Sequence, residues 1–185
     1  MTKKRVTTGA RPSQTDAVVP ATGQPAGIVI DGRTVYLWWG PESAEGEDVV
    51  ASVDGRVRLW VSEQECWAAA AAAGWATEGG FDADEPLELQ DFSATEEWIA
   101  GKRTTVEPIS ALELWNFAGD IARSAGRPWD QPSGDLSWDC YNELLAANVP
   151  WAFDLEEYTP RWSPRELTAL RGILTQALAI VRGAL

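Results

Sequence analysis

From Gly27 the chain reads GIVIDGRTVYLWW, two apolar stretches split by Asp31-Gly32. Asp-Gly accepts the positive φ that both central positions of a type I′ turn require, so the segment predicts a β-hairpin. An acidic turn, PESAEGED, follows, and VVASVDGRVRLWV repeats the arrangement around Asp54-Gly55. Val57, Leu59 and Val61 alternate there with Arg56, Arg58 and Trp60, a period of two that turns one face toward a core. Two hairpins in series predict an antiparallel meander of about four strands. The apolar side of such a sheet needs a cover, which helices downstream can supply.

The pattern then changes to helical spacing. Ser62 with Glu65 three residues on predicts a capped helix start, and six alanines, Ala68 to Ala73, favour helix and permit a close approach to the sheet. Gly74 fits a left-handed terminator, with Trp75 placed to fold back on the helix. Leu87 and Leu89 suggest a further short strand. Ser93 with Glu96 and Ser110 with Glu113 repeat the capping spacing ahead of two more helices, the second carrying Leu112, Trp115, Ala118, Ile121 and Ala122 and ending near Gly126. A helix over Trp138 to Ala147 follows. The last helix is the most completely specified: Ser163 as cap, Pro164 at the first helical position, Glu166 closing the box. Its apolar face runs through Leu167, Leu170, Leu174, Ala177, Leu178 and Val181.

The predicted fold class is therefore α+β, an N-terminal antiparallel β-meander packed against a mainly helical C-terminal half. Residues 1–26, rich in Thr, Gly, Pro, Ala and Gln without periodicity, read as a flexible tail, and 27–185 as a single domain. The run NVPWAFDLEEYTPRW contains prolines that break regular structure. Trp151, Phe153, Tyr158 and Trp162 within it call for burial, so it is expected to form an aromatic strap with an exposed acidic edge.

Composition adds direction. Eleven tryptophans and 28 acids stand beside no histidine, with a formal charge of -13. Residues 1–11 hold Lys3, Lys4, Arg5 and Arg11 and no acid; removing those four from the 15 basic residues leaves 11 against 28 acids, a charge of -17. Such a field repels nucleic acid and anionic lipid and attracts basic partners, besides keeping a protein soluble. Cys66 and Cys140, the two cysteines, read as buried free thiols. The N-terminal positive residues have no apolar run behind them, and no uninterrupted apolar stretch reaches membrane-spanning length, so the cytoplasm is the expected compartment.

Absent imidazole excludes Ser-His-Asp and Cys-His catalysis, and two cysteines without histidine exclude the usual zinc sites. No phosphate loop or dinucleotide glycine fingerprint is present. Carboxylates are the remaining route to acid/base or magnesium chemistry. Asp82, Asp84 and Glu85, between Gly79-Gly80 and Pro86, lack a complete calcium-loop pattern and read as a solvated acidic loop. No cofactor, metal site or catalytic residue is assigned. Asn116 and Asp120, one helical turn apart, either meet a partner side chain or form internal hydrogen bonds.

Between Arg58 and Lys102 there is no positive side chain, whereas ten acids fall there: Glu63, Glu65, Glu78, Asp82, Asp84, Glu85, Glu88, Asp91, Glu96 and Glu97. Phe81, Phe92 and Trp98 are interspersed with them. Acids steer a basic protein and aromatics anchor it, so Glu78, Asp82, Asp84, Glu85, Glu88, Asp91, Glu96 and Glu97 are candidate partner contacts, joined by Glu156 and Glu157.

WNFAGD at 115–120, YNELL at 141–145 and YTPRWSPREL at 158–167 give the C-terminal half, roughly residues 87–185, a layout that resembles small acidic bacterial immunity proteins encoded beside toxins. The resemblance implies a protein that binds and blocks a cognate toxin, with contacts from the acids in 78–97 and around Glu156-Glu157. The function expected is thus a non-enzymatic immunity or inhibitor-like protein for a basic partner, with no direct nucleic-acid or membrane contact. Two alternatives remain: an acidic regulatory adaptor or nucleic-acid mimic, and a carboxylate-dependent enzyme.

Overall fold

A computed structural model describes residues 17–77, 87–129 and 134–185. The fold is α+β, with a mixed β-sheet region followed by a mainly helical C-terminal half. Strands β2 (Gln24–Ile30) and β3 (Arg33–Pro41) form the first predicted hairpin, in register from Gln24 opposite Trp39 to Ile30 opposite Arg33. Asp31 and Gly32 take φ of 51° and 68°, the two positive angles of a type I′ turn.

The period of two along β3 serves two layers at once. Val35, Leu37 and Trp39 face the large helical core, while Tyr36 and Trp38 face a smaller one built on Cys66 and Ala70. Helix α1 (Glu63–Ala73) supplies that second cover. Its Ser62 cap accepts the Glu65 N–H at 3.2 Å, and Gly74 at φ 71° ends it, with Trp75 N–H returning to the Ala70 carbonyl, as the sequence predicts. Of the alanine run only Ala70 is buried; the others supply helix propensity rather than a close approach.

The meander is corrected in two respects. The sheet has the order β4 (Asp48–Val50), β3, β2, β7 (Leu89–Asp91), and β7 runs parallel to β2, so it is mixed rather than wholly antiparallel. The second hairpin also leaves this sheet. Strand β4 (Asp48–Val50) pairs with β3, then the chain turns out at Ala51. There β5 (Ser52–Val53) and β6 (Arg56–Val57), joined by Asp54-Gly55 at φ 52° and 72°, pair with each other, and β5 pairs on its other side with β1 (Ala17–Val18), in a separate sheet. The predicted alternation ends with it: Val57 is buried, Leu59 half-buried and Val61, next to the α1 cap, 79% exposed. Strand β1 lies ahead of the expected start at Gly27, because it finds its partner in β5; residues 1–16 of the expected tail lie outside the described residues.

Helix α2 (Ser93–Ile99), α3 (Pro108–Ser124), α4 (Asp135–Asn148) and α5 (Pro164–Ala184) make the other layer. Two predicted caps are replaced. Glu96 turns away from Ser93, whose N–H goes to Asp91 Oδ1 at 2.9 Å. At α3 the start is earlier: Glu107 accepts the Ser110 N–H at 2.7 Å with Pro108 in the first turn. Ser110 is then buried and accepts the Thr95 hydroxyl at 2.9 Å. The α5 box forms as predicted, with Ser163 N–H to Glu166 at 2.6 Å and Glu166 N–H to Ser163 Oγ at 3.2 Å. Leu170, Leu174, Ala177, Leu178 and Val181 are buried on its inner face. Arg171 of α5 caps α2, donating to the Trp98 and Ile99 carbonyls at 2.7 and 2.9 Å with its guanidinium over the Trp98 ring.

The strap is only half realised. Tyr158 and Trp162 are partly buried, but Pro150–Phe153 forms a 3₁₀ turn on which Trp151 is 76% and Phe153 41% exposed. Both cysteines are free and buried. No helix of the described residues is long and apolar enough to cross a membrane.

Candidate functional site

An acidic cleft of about 470 Å³ opens between α3 and the sheet. On α3 the spacing Glu113, Asn116, Asp120 puts three polar side chains on one face. Across from them stand Trp39 of β3 and Gln90 of β7, with Glu47 and Asp48 at the entry to β4. Arg123 is the one cation in the lining among the described residues. It bridges Glu47 at 2.7 Å and Asp120 at 3.3 Å, and donates to the Asp48 carbonyl at 2.5 Å. Ser124 fixes this end of α3 to the sheet, accepting the Val50 N–H at 2.8 Å and donating to the Asp120 carbonyl at 2.6 Å.

The two α3 carboxyls differ in their surroundings. Asp120 accepts the Trp39 Nε1–H at 3.1 Å and the Arg123 donor, yet burial outweighs both and, with Asp48 adding repulsion, lifts its pKa to about 6. Glu113 has no hydrogen-bond or ion-pair partner among the described residues. Burial first, then the negative charges of Glu88, Glu107 and Asp91, push it up to about 7. Burial also raises Asp48, against the pull of Arg123. Gln90 Oε1 is withdrawn from solvent without a donor, and the Trp129 Nε1–H, outside the cleft lining, without an acceptor. The cleft therefore holds four carboxyls and one guanidinium among the described residues, and Glu113 and Gln90 Oε1 are left as acceptors without a donor.

The sequence candidates divide. Glu88 and Asp91, both exposed, flank the Glu113 end of this cleft. Glu96 is committed internally: it accepts the Asp31 N–H at 3.1 Å and pairs with Arg182 at 2.9 Å. Arg182 also pairs with Asp31 and holds that carboxyl below its usual range. Thus Glu96 ties the first hairpin turn to α2 and α5. Glu97 is exposed on α2, and Glu156 and Glu157 are exposed beyond the 3₁₀ turn. Glu78, Asp82, Asp84 and Glu85 lie outside the described residues. Asn116 and Asp120 both take internal hydrogen bonds, Asn116 from the Tyr141 hydroxyl at 3.1 Å.

Glu47, Asp48, Glu113, Trp39 and Gln90 were not legible as a site. The available signal was the shared face of Glu113, Asn116 and Asp120, obscured because Glu113 also fits a capping box. Among the described residues no group of three or more acids or cysteines is placed to hold a metal ion. No protein-family model, curated protein or solved structure matches the chain.

Proposed function

We propose that this chain is a cytoplasmic immunity or inhibitor-like protein that binds and blocks a basic partner protein, such as a cognate bacterial toxin, with the acidic cleft as its receiving site. The carrying observation is Glu113: a half-buried carboxyl that, among the described residues, has no cation, in a cleft whose described acids outnumber its basic groups. An uncompensated carboxyl there weakens the free protein and is relieved when a partner inserts Lys or Arg. Glu88 and Asp91 extend the negative field around it, and Glu97, Glu156 and Glu157 add exposed charge that accelerates encounter.

The test is co-expression with the basic proteins encoded beside its own gene, followed by calorimetry and a growth-protection assay. Glu113→Gln with Asp120→Asn is expected to weaken binding at least tenfold and to reduce protection. Absence of binding and protection with a folded protein overturns the proposal. One observation favours a second reading as a carboxylate-dependent enzyme: Glu113 and Asp120, lifted to about 7 and about 6, are poised for proton transfer near neutrality. Hydrolase activity lost in Glu113→Gln without any protein partner would select that reading.

A further inference from the structure

The residues following α4 form a second surface. Its first turn closes through Ala152 N–H to Val149 at 3.0 Å, Asp154 N–H to Trp151 at 3.3 Å and Leu155 N–H to Pro150 at 3.1 Å, all onto carbonyls. Asp154 takes φ 56°, which reverses the chain. Further along, Glu143 of α4 pins the segment by accepting the Tyr158 hydroxyl at 2.6 Å and the Arg161 N–H at 3.3 Å. Everything from Trp151 to Glu157 is nevertheless exposed, including Trp151, Phe153 and Leu155. A hydrogen-bonded turn that holds a tryptophan and a phenylalanine out in water is unfavourable for the free chain. For a binding surface it is favourable, because the aromatic anchors lose little freedom on docking.

The charges around the anchors select the occupant. Asp154, Glu156 and Glu157 interleave with the apolar residues, and none of the three is in an ion pair among the described residues. They repel an anionic bilayer and a second copy of this chain, whose formal charge is -13. We infer that the 151–157 turn is a preformed anchor for a basic protein, with Trp151 and Phe153 entering an apolar pocket rimmed by Lys or Arg. This rests on the basic-partner reading but not on the cleft.

The experiment places the photo-crosslinking residue p-benzoylphenylalanine at position 151, at Asn116 in the cleft, or at the exposed Gln64 on α1, in cells of the source organism. Crosslinking from 151 but not from 64 to a basic protein is expected. In the purified complex Trp151→Ala and Phe153→Ala should each weaken binding at least tenfold, with unfolding temperature unchanged. Crosslinking from 116 alone, or a Trp151→Ala effect within twofold, overturns the anchor while the basic-partner reading stands. Crosslinking from 151 to a second copy replaces the anchor by self-association. No crosslink from either 151 or 116 overturns both.

Discussion

Glu113 and Glu96 illustrate how two glutamates of similar sequence context diverge once placed. Each stands three residues after a serine, and each reads as the second half of a capping box. Glu96 instead finds Asp31 N–H and Arg182, partners 65 and 86 residues away in sequence. Glu113 finds three acids and, among the described residues, no donor. Its folded pKa of about 7 lies above the ordinary 4.5, so between those values the native state binds more protons than the unfolded chain. Stability therefore falls as pH rises from about 4.5 to about 7. Glu113→Gln removes that loss. Because the group is only half buried, solvent screening reduces the gain to about 1 kcal/mol. Urea titrations should find the variant more stable than the parent at pH 8, with the difference gone near pH 4. An equal gain at both pH values would show that the charge is not the cause.

At the scale of elements, what was legible was local. Both Asp-Gly turns, the Gly74 stop and the Ser163 start depend on neighbours within a few residues, and each forms as read. The parallel pairing of β7 with β2 joins residues some sixty positions apart over only three residue pairs, and no local pattern encodes it. The cleft is equally non-local, drawing on β3, the entry to β4, β7 and α3. Caps offer a direct check. Ser163→Ala removes a bond made to the Glu166 N–H and should cost about 1 kcal/mol in chemical denaturation. Ser93→Ala, identical on paper, removes no cap bond and should stay within about 0.5 kcal/mol. Equal costs would return Ser93 to the capping role its spacing suggests.

Across the whole molecule, aromatic abundance and acidity separate into different roles. Trp38, Trp98 and Trp115 are core, whereas Trp138 and Trp151 are exposed, a distinction that composition cannot make because it counts all eleven alike. The acids act together through their summed field. Like charges in a chain of formal charge -13 repel more when compact than when unfolded. The opposing surface pairs, such as Arg182 with Asp31, contribute little and are also screened. Salt shortens the reach of repulsion to about 8 Å at physiological ionic strength. Raising sodium chloride from low to physiological concentration should thus increase the unfolding temperature of the free protein. The same change should weaken its complex with a basic partner, where the charges attract. Thermal melts and calorimetry on one salt series test the two signs together. Parallel weakening of both would mean that the ion pairs, not the net field, dominate the free fold. Salt-independent binding would remove electrostatic steering from the interaction and leave the exposed aromatics to carry it.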